Sequence, residues 1–342
     1  MVLEVQKDRD PYFDIVKAVA IGMVIFCHVM WVAPAGTFPT WVNNFRVGMN
    51  MPVFFILSGY FAWPMIEVRD WRKLGRKIRC YLQPALFAGI LFTSIGLAVG
   101  LVNPLPRDII IRLVRSVFVD PWFITTLIEC QLLLFVSFVL GRELGRSLLI
   151  IAAVLLGIMC RPSVIPGTVH FGCIVSMMPH FVFGAVVLRK FGCRLWENQM
   201  VGLPCFLLFI AFILAEGDVT ANGMSFYTAD STIRAFGSVD SCVCFFLRPI
   251  VGLLGSVGVM ALLRMVLDVA PFISCVAKIG TLTLGIYVFH LWPLARLRSI
   301  AWVGSGQLSV VATSVVMLLF FSFVTWLLME KTGRFRKWIW GK

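Results

Sequence analysis

Charge is scarce in this 342-residue chain: 14% of its residues are Asp, Glu, Lys or Arg, where an average soluble domain carries roughly 25%. That shortage excludes an ordinary soluble enzyme. It equally excludes a disordered segment, which needs high charge and little apolar content. Histidine is scarce as well, with four in the whole sequence. No His, Cys, Asp and Glu stand together at metal-ligand spacing, so no metal site is expected. None of the ten cysteines forms a C-x-x-C pair. They are scattered through apolar runs, where cysteine packs as a small polarizable residue, and Cys242-x-Cys244 has no further ligand nearby. A Gly-rich phosphate loop, internal repeats and low-complexity tracts are all missing. The largest outer loop, about 216–244, is too short to fold alone, so residues 1–342 read as one domain.

What fills the chain is apolar, 60% of it. The balance of 30 Lys and Arg against 17 Asp and Glu gives a net charge of +13. The basic residues lie between long apolar runs and not on one polar face. They therefore report membrane topology and not nucleic-acid binding. A span takes ~20 apolar residues at ~1.5 Å each. Runs near 13–33, 46–66, 82–102, 122–140, 144–160, 171–188, 200–215, 245–267, 275–294 and 307–329 predict an all-α polytopic membrane protein of about ten transmembrane helices. The run from Ile15 to Val32 is too long for a signal-peptide core and no small-residue cleavage site follows it, so it is read as the first span. Ten spans put both termini on one side, and 21 of the 30 basic residues fall on that side. Positive-inside bias makes it cytoplasmic, with short tails at about 1–12 and 330–342 and the body in the inner (cytoplasmic) membrane. The tail KTGRFRKWIWGK mixes bases with aromatics and suits an anionic lipid surface.

Ionisable groups inside spans are costly, about 2.5–3.5 kcal/mol for a charge at mid-helix, so each needs a reason. Lys17 lies near the cytoplasmic start of the first span, where snorkelling and function fit equally. His28 follows eleven residues later, ~16 Å further along the helix and in the outer half of the bilayer. Glu129, seven residues below Trp122, and His290, in GIYVFHLWPL, are expected at comparable depth. If those faces converge, the three line a polar cavity open to the outside. A protonated Glu129 bonded to a neighbouring carbonyl is the competing reading. His170 and His180 read as packing or hydrogen-bonding residues. The loop from Val68 to Pro84 carries six Lys and Arg within eleven residues, more than topology needs. Arg76 and Arg79, three apart, would share one face of a helical turn and suit phosphate oxygens.

Together these residues resemble the acyltransferase-3 family of integral membrane acyltransferases. The family's basic-x10-His signature is matched by Lys17 and His28, preceded by Asp14. Its second-helix signature is matched by Asn50 to Ala62, NMPVFFILSGYFA. Its R-x-x-R element is matched by Arg76 and Arg79, followed by Pro84, and its Trp-Phe opening by Trp122-Phe123. The late Gly-to-His motif is matched by Gly280 to His290, with Leu284 where the family has Tyr and Lys17 where it often has Arg. The resemblance implies transfer of an acyl group, usually acetyl, from cytoplasmic acyl-CoA to a hydroxyl of an extracytoplasmic or lipid-linked glycan. It implies that Lys17, Arg76 and Arg79 hold the CoA phosphates. His28 would act either as general base, worth ~10²–10⁴-fold, or as acyl carrier, with Glu129, if close, orienting its imidazole. No permanently bound cofactor is implied. The Ser58-Gly59 pair would let helices approach closely. A rival from another class is a transporter or flippase for a lipid-linked glycan or small anion. It fits the histidines and the basic inner face but lacks inverted repeats and paired broken helices.

Overall fold

The computed structural model describes residues 10–34, 36–102, 105–118, 120–159, 171–215, 239–269, 276–296, 306–331 and 339–340. Among the described residues there is no strand; the regular structure is helical. Helix α1 (Pro11–Met30) starts where Asp10 accepts a hydrogen bond from the Tyr12 amide at 2.9 Å, with proline at the first helical position. Helix α2 (Thr40–Glu67) returns beside it and contains Pro52 and Pro64. Arg69, at φ 54°, turns the chain, and Asp70 caps α3 (Trp71–Ala98) by accepting from the Lys73 amide at 2.9 Å. That amide holds the Asp70 carboxyl below the usual carboxylate range. Gly100, at φ 70°, ends α3 with the left-handed turn that a residue lacking Cβ adopts freely.

The remaining helices are α4 (Pro106–Phe118), α5 (Trp122–Gly141), α6 (Leu144–Met159), α7 (Phe171–Val182) and α8 (Gln199–Ala215). They continue with α9 (Val239–Val269), α10 (Ala277–Thr281), α11 (Thr283–Arg296) and α12 (Gln307–Lys331). Helix α7 runs directly into a π-helical segment, Phe183–Lys190. Among the described residues, seven helices are long and apolar enough to cross a membrane: Pro11–Met30, Thr40–Glu67, Trp71–Ala98, Trp122–Gly141, Cys173–Lys190, Pro249–Leu267 and Gln307–Lys331. Two shorter apolar helices, Leu144–Gly157 and Gln199–Ala215, occupy the fifth and seventh expected positions. The α10–α11 pair occupies the ninth. The chain is therefore an all-α, multi-pass membrane protein.

Two expectations change. The basic stretch after Val68 is not a loop: it forms the first turns of α3, which starts eleven residues earlier than hydropathy suggested. Lys, Arg and Leu are good helix formers, and charge at a helix start does not interrupt it. The second change is α4, which the apolar-run criterion passed over. It is too short to span, and it packs against the outer part of α3, where Gly89 meets Ser116.

Helices α1 and α2 form the centre. Ile21 and Ile25 of α1, Phe55 and Ile56 of α2, Phe135 of α5 and Phe181 of α7 are fully buried there. Against α2 the π-helical segment lies backbone to backbone. A methyl built on Gly59 would collide with the Phe181 carbonyl oxygen, and one on Gly184 with that of Ile56. The expected close approach at Ser58-Gly59 is thus a feature of the fold. Leu86, Ile90 and Ile95 of α3 stay exposed, as lipid-facing residues do.

Candidate active site

His28 and His290, on α1 and α11, meet. Their ring centroids are 5.0 Å apart in an edge-to-face arrangement, so the juxtaposition expected for these two residues is present. Both rings are held the same way. His28 Nδ1 lies 2.7 Å from the Val24 carbonyl oxygen, one turn back on its own helix. His290 Nδ1 lies 3.0 Å from the Ile286 oxygen and 2.6 Å from that of Tyr287. A carbonyl oxygen only accepts, so in the neutral rings Nδ1 carries the proton and Nε2 the lone pair. His290 is fully buried, and its Nε2 has no hydrogen-bond partner among the described residues. A neutral imidazole whose Nε2 lone pair is free can receive hydrogen from a hydroxyl.

Around the pair stand Trp31 and Arg46, which the sequence did not single out, and Tyr287 of the late motif. Trp31, the residue that ends α1, touches the His28 ring edge-on at 4.5 Å and keeps 54% of its surface exposed. Arg46 of α2 is buried, with its guanidinium carbon 5.9 Å from the Trp31 ring centroid. It donates to the Cys27 carbonyl at 3.3 Å and also contacts the Cys27 thiol. In the sequence Arg46 reads only as a topological charge. Tyr287, one turn before His290, lies 5.5 Å from it ring to ring, and its hydroxyl accepts from the Phe123 amide at 3.4 Å. That contact ties α11 to the start of α5.

Glu129 stands on α5, about 18 Å along the helix from its end at Gly141. Among the described residues it makes no hydrogen bond, ion pair or ring contact with either histidine. It neighbours Cys130 on its own helix and Cys173 of α7. The Val24 carbonyl already holds His28 Nδ1, the position at which an orienting acid would act. Glu129 Oε2, Gln131 Oε1 and Thr126 Oγ1 lack partners among the described residues. Gln131 Nε2 donates to the Tyr81 hydroxyl on α3 at 3.3 Å. These buried polar atoms lie on more than one face of α5, Gln131 toward α3 and Glu129 toward α7.

At the basic end, Lys17 is drawn inward. Its ammonium lies 3.3 Å from buried Asp14 and 4.9 Å from the Phe61 ring centroid. Lys77 of α3 lies close enough for the two ammonium charges to act on each other. Arg76 and Arg79 sit in one exposed stretch of the same helix turn, as their spacing predicts. Arg189, at the end of the π-helical segment, donates to the Tyr60 hydroxyl at 3.1 Å. Basic side chains from α1, α3 and that segment therefore gather at one end, about 16 Å along α1 from His28. His180 is fully buried, with Nδ1 3.1 Å from the Ser176 oxygen, in keeping with a packing role. His170, Arg161, Arg234, Arg298, most of the loop at 216–244 and most of both tails lie outside the described residues. No group of three or more possible metal ligands occurs among the described residues.

Comparison with known protein families finds one match: the acyltransferase domain of the acyltransferase-3 type, over residues 10–338. No curated protein and no solved structure gave a significant match.

Proposed function

The chain belongs to the acyltransferase-3 family and is a membrane acyltransferase; from that premise we propose that it moves an acyl group, of acetyl size, from cytoplasmic acyl-CoA to a hydroxyl of an extracytoplasmic or lipid-linked glycan. The observation that carries this reading is the His28–His290 pair, with both Nδ1 protons committed to backbone carbonyls and Nε2 left to take a proton. The acceptor hydroxyl gives its proton to His28 Nε2 as its oxygen attacks the thioester carbonyl. The tetrahedral adduct then expels the CoA thiolate, which takes that proton from His28, and the acyl oxygen bond remains on the glycan. Every proton and electron pair is accounted for, and no metal or redox partner is needed. In this scheme His290 holds the hydroxyl, or a second one of the same sugar, at its own lone pair. Acylation of His28 itself is the other route open to the same geometry.

The donor end of the reading rests on the basic cluster. Lys17, Arg76 and Arg79 carry the phosphates of CoA, and the pantetheine arm, long and uncharged, runs from there toward the histidines. A cell-envelope location in the inner membrane accompanies this sidedness. The test is direct. Membranes containing the protein are given acyl-labelled acetyl-CoA, and glycans are examined for an alkali-labile ester. Wild type forms it, and His28→Ala, inserted at normal level, loses at least a hundredfold, the lower bound of a missing general base. Near-wild-type activity in His28→Ala overturns the assignment. Movement of an intact solute with no release of CoA returns the reading to a transporter.

A further inference from the structure

From the surroundings of His28 we infer that Trp31, backed by Arg46, is the platform on which the acceptor ring lies during transfer. This deepens the proposed function and rests on it. Three observations converge. Trp31 is a large apolar side chain left 54% exposed, although it stands in edge contact with His28 at 4.5 Å. One side of its ring is occupied by the Arg46 guanidinium at 5.9 Å, and Arg46 itself is buried. Arg46 is anchored in turn by the Cys27 carbonyl, the residue before His28. The indole is thus fixed by a cation on one side and by the imidazole at its edge, while the rest of its surface stays open.

An exposed tryptophan at a helix end has an ordinary explanation, the aromatic belt at the membrane–water interface. A belt residue, however, has no need of a buried guanidinium behind it or of contact with the base. An open indole face is chemically suited to the axial C–H groups of a pyranose, which are polarised by the ring hydroxyls. It offers an open-chain polyol no matching flat face. A sugar lying on Trp31 places its hydroxyls beside His28, which the indole contacts. The same arrangement discriminates by shape, so Trp31 sets acceptor specificity while the histidines do the chemistry.

The experiment compares methyl β-D-glucopyranoside with sorbitol as acceptors for labelled acetyl-CoA, using the full-length protein in proteoliposomes. Wild type is expected to esterify the pyranoside at least tenfold more efficiently, by kcat/KM, than the open-chain polyol. Trp31→Leu should erase that preference through a raised acceptor KM, with the KM for acetyl-CoA within twofold of wild type. Trp31→Phe, which retains an aromatic face, should keep part of it. A wild-type protein that shows no preference, or that accepts neither compound, overturns the platform without any variant. So does a Trp31→Leu protein that keeps the preference. A belt role predicts a loss of insertion or of both KM values together, and that outcome also overturns it. Failure of the enzyme reading is separate, because it appears as no alkali-labile ester and no release of CoA with cellular glycans as acceptors.

Discussion

Alanine at Gly59 should destabilise the bundle, although alanine is the better helix former by about 1 kcal/mol. The reason is the approach of α2 to the π-helical segment. A methyl at Gly59 meets the Phe181 carbonyl oxygen head-on, and lies 2.9 Å from its carbon and 3.0 Å from the Ala185 nitrogen. All three are backbone atoms, so no side chain can swing away. Clearing the oxygen, the nearest of the three, requires the two helices to part by more than about 1 Å. Overpacking of this kind typically costs about 1–3 kcal/mol, at times more, which exceeds the helix-propensity gain. Gly184→Ala should behave alike, since its methyl would lie 2.7 Å from the Ile56 carbonyl carbon. Gly75 supplies the contrast, because nothing lies within 4 Å of its virtual methyl. There alanine brings only propensity, and stability should hold or rise. The assay is thermal unfolding in detergent, followed by a thiol-reactive dye that reports exposure of buried Cys27, Cys130 and Cys173. Gly59→Ala should melt below wild type and Gly75→Ala at or above it. A Gly59→Ala protein that melts with the Gly75→Ala protein would falsify the close contact.

Other outcomes follow from the site. Arg76→Ala and Arg79→Ala should each raise the KM for acetyl-CoA about 10–150-fold, the loss of a charge-assisted contact of ~1.5–3 kcal/mol. An unchanged donor KM in inverted vesicles would leave them as topological charges, and Lys17→Ala should give only a partial loss. Tyr287→Phe removes the hydroxyl that receives the Phe123 amide and should lower kcat more than either KM, because it loosens His290 and not a substrate contact. Equal activity of Tyr287→Phe and wild type would show that α11 is positioned by packing alone.

Much of the fold was legible because its signal is one-dimensional. Apolar runs of span length mark helices wherever they lie, and Lys17 and His28 share a helix at a fixed spacing. Helix α4 escaped because Arg107, Arg112 and Arg115 interrupt its apolar residues, so an apolar-run criterion sees only a charged outer loop. The start of α3 escaped because a dense basic stretch resembles a loop, while helix propensity there is in fact high. In the site, the meeting of His28 with His290 was within reach of depth arithmetic. Whether Glu129 joins them depends on which faces of α5 and α11 meet, and depth arithmetic does not carry that. Tyr287 was visible only as part of the late Gly-to-His motif, and Trp31 and Arg46 gave no signal of their own. Their meaning depends on which helices touch, and no periodicity within one helix encodes that.

The carbonyl grip on His28 and His290 bears on how this centre tolerates change. In many hydrolytic centres the base is aimed by a separate acidic side chain, and losing that partner lets the ring swing or swap its proton. Here the aiming device is the preceding turn of the same helix, built from main-chain atoms that every amino acid supplies. Substitutions at Val24 or Ile286 that preserve the helix leave the grip in place, so the side chains around the histidines are free to diverge without disarming the base. Such a centre can be retargeted from one acceptor to another by swapping its walls, while insertion of a proline or a glycine pair in the turn behind either histidine would silence it from a distance.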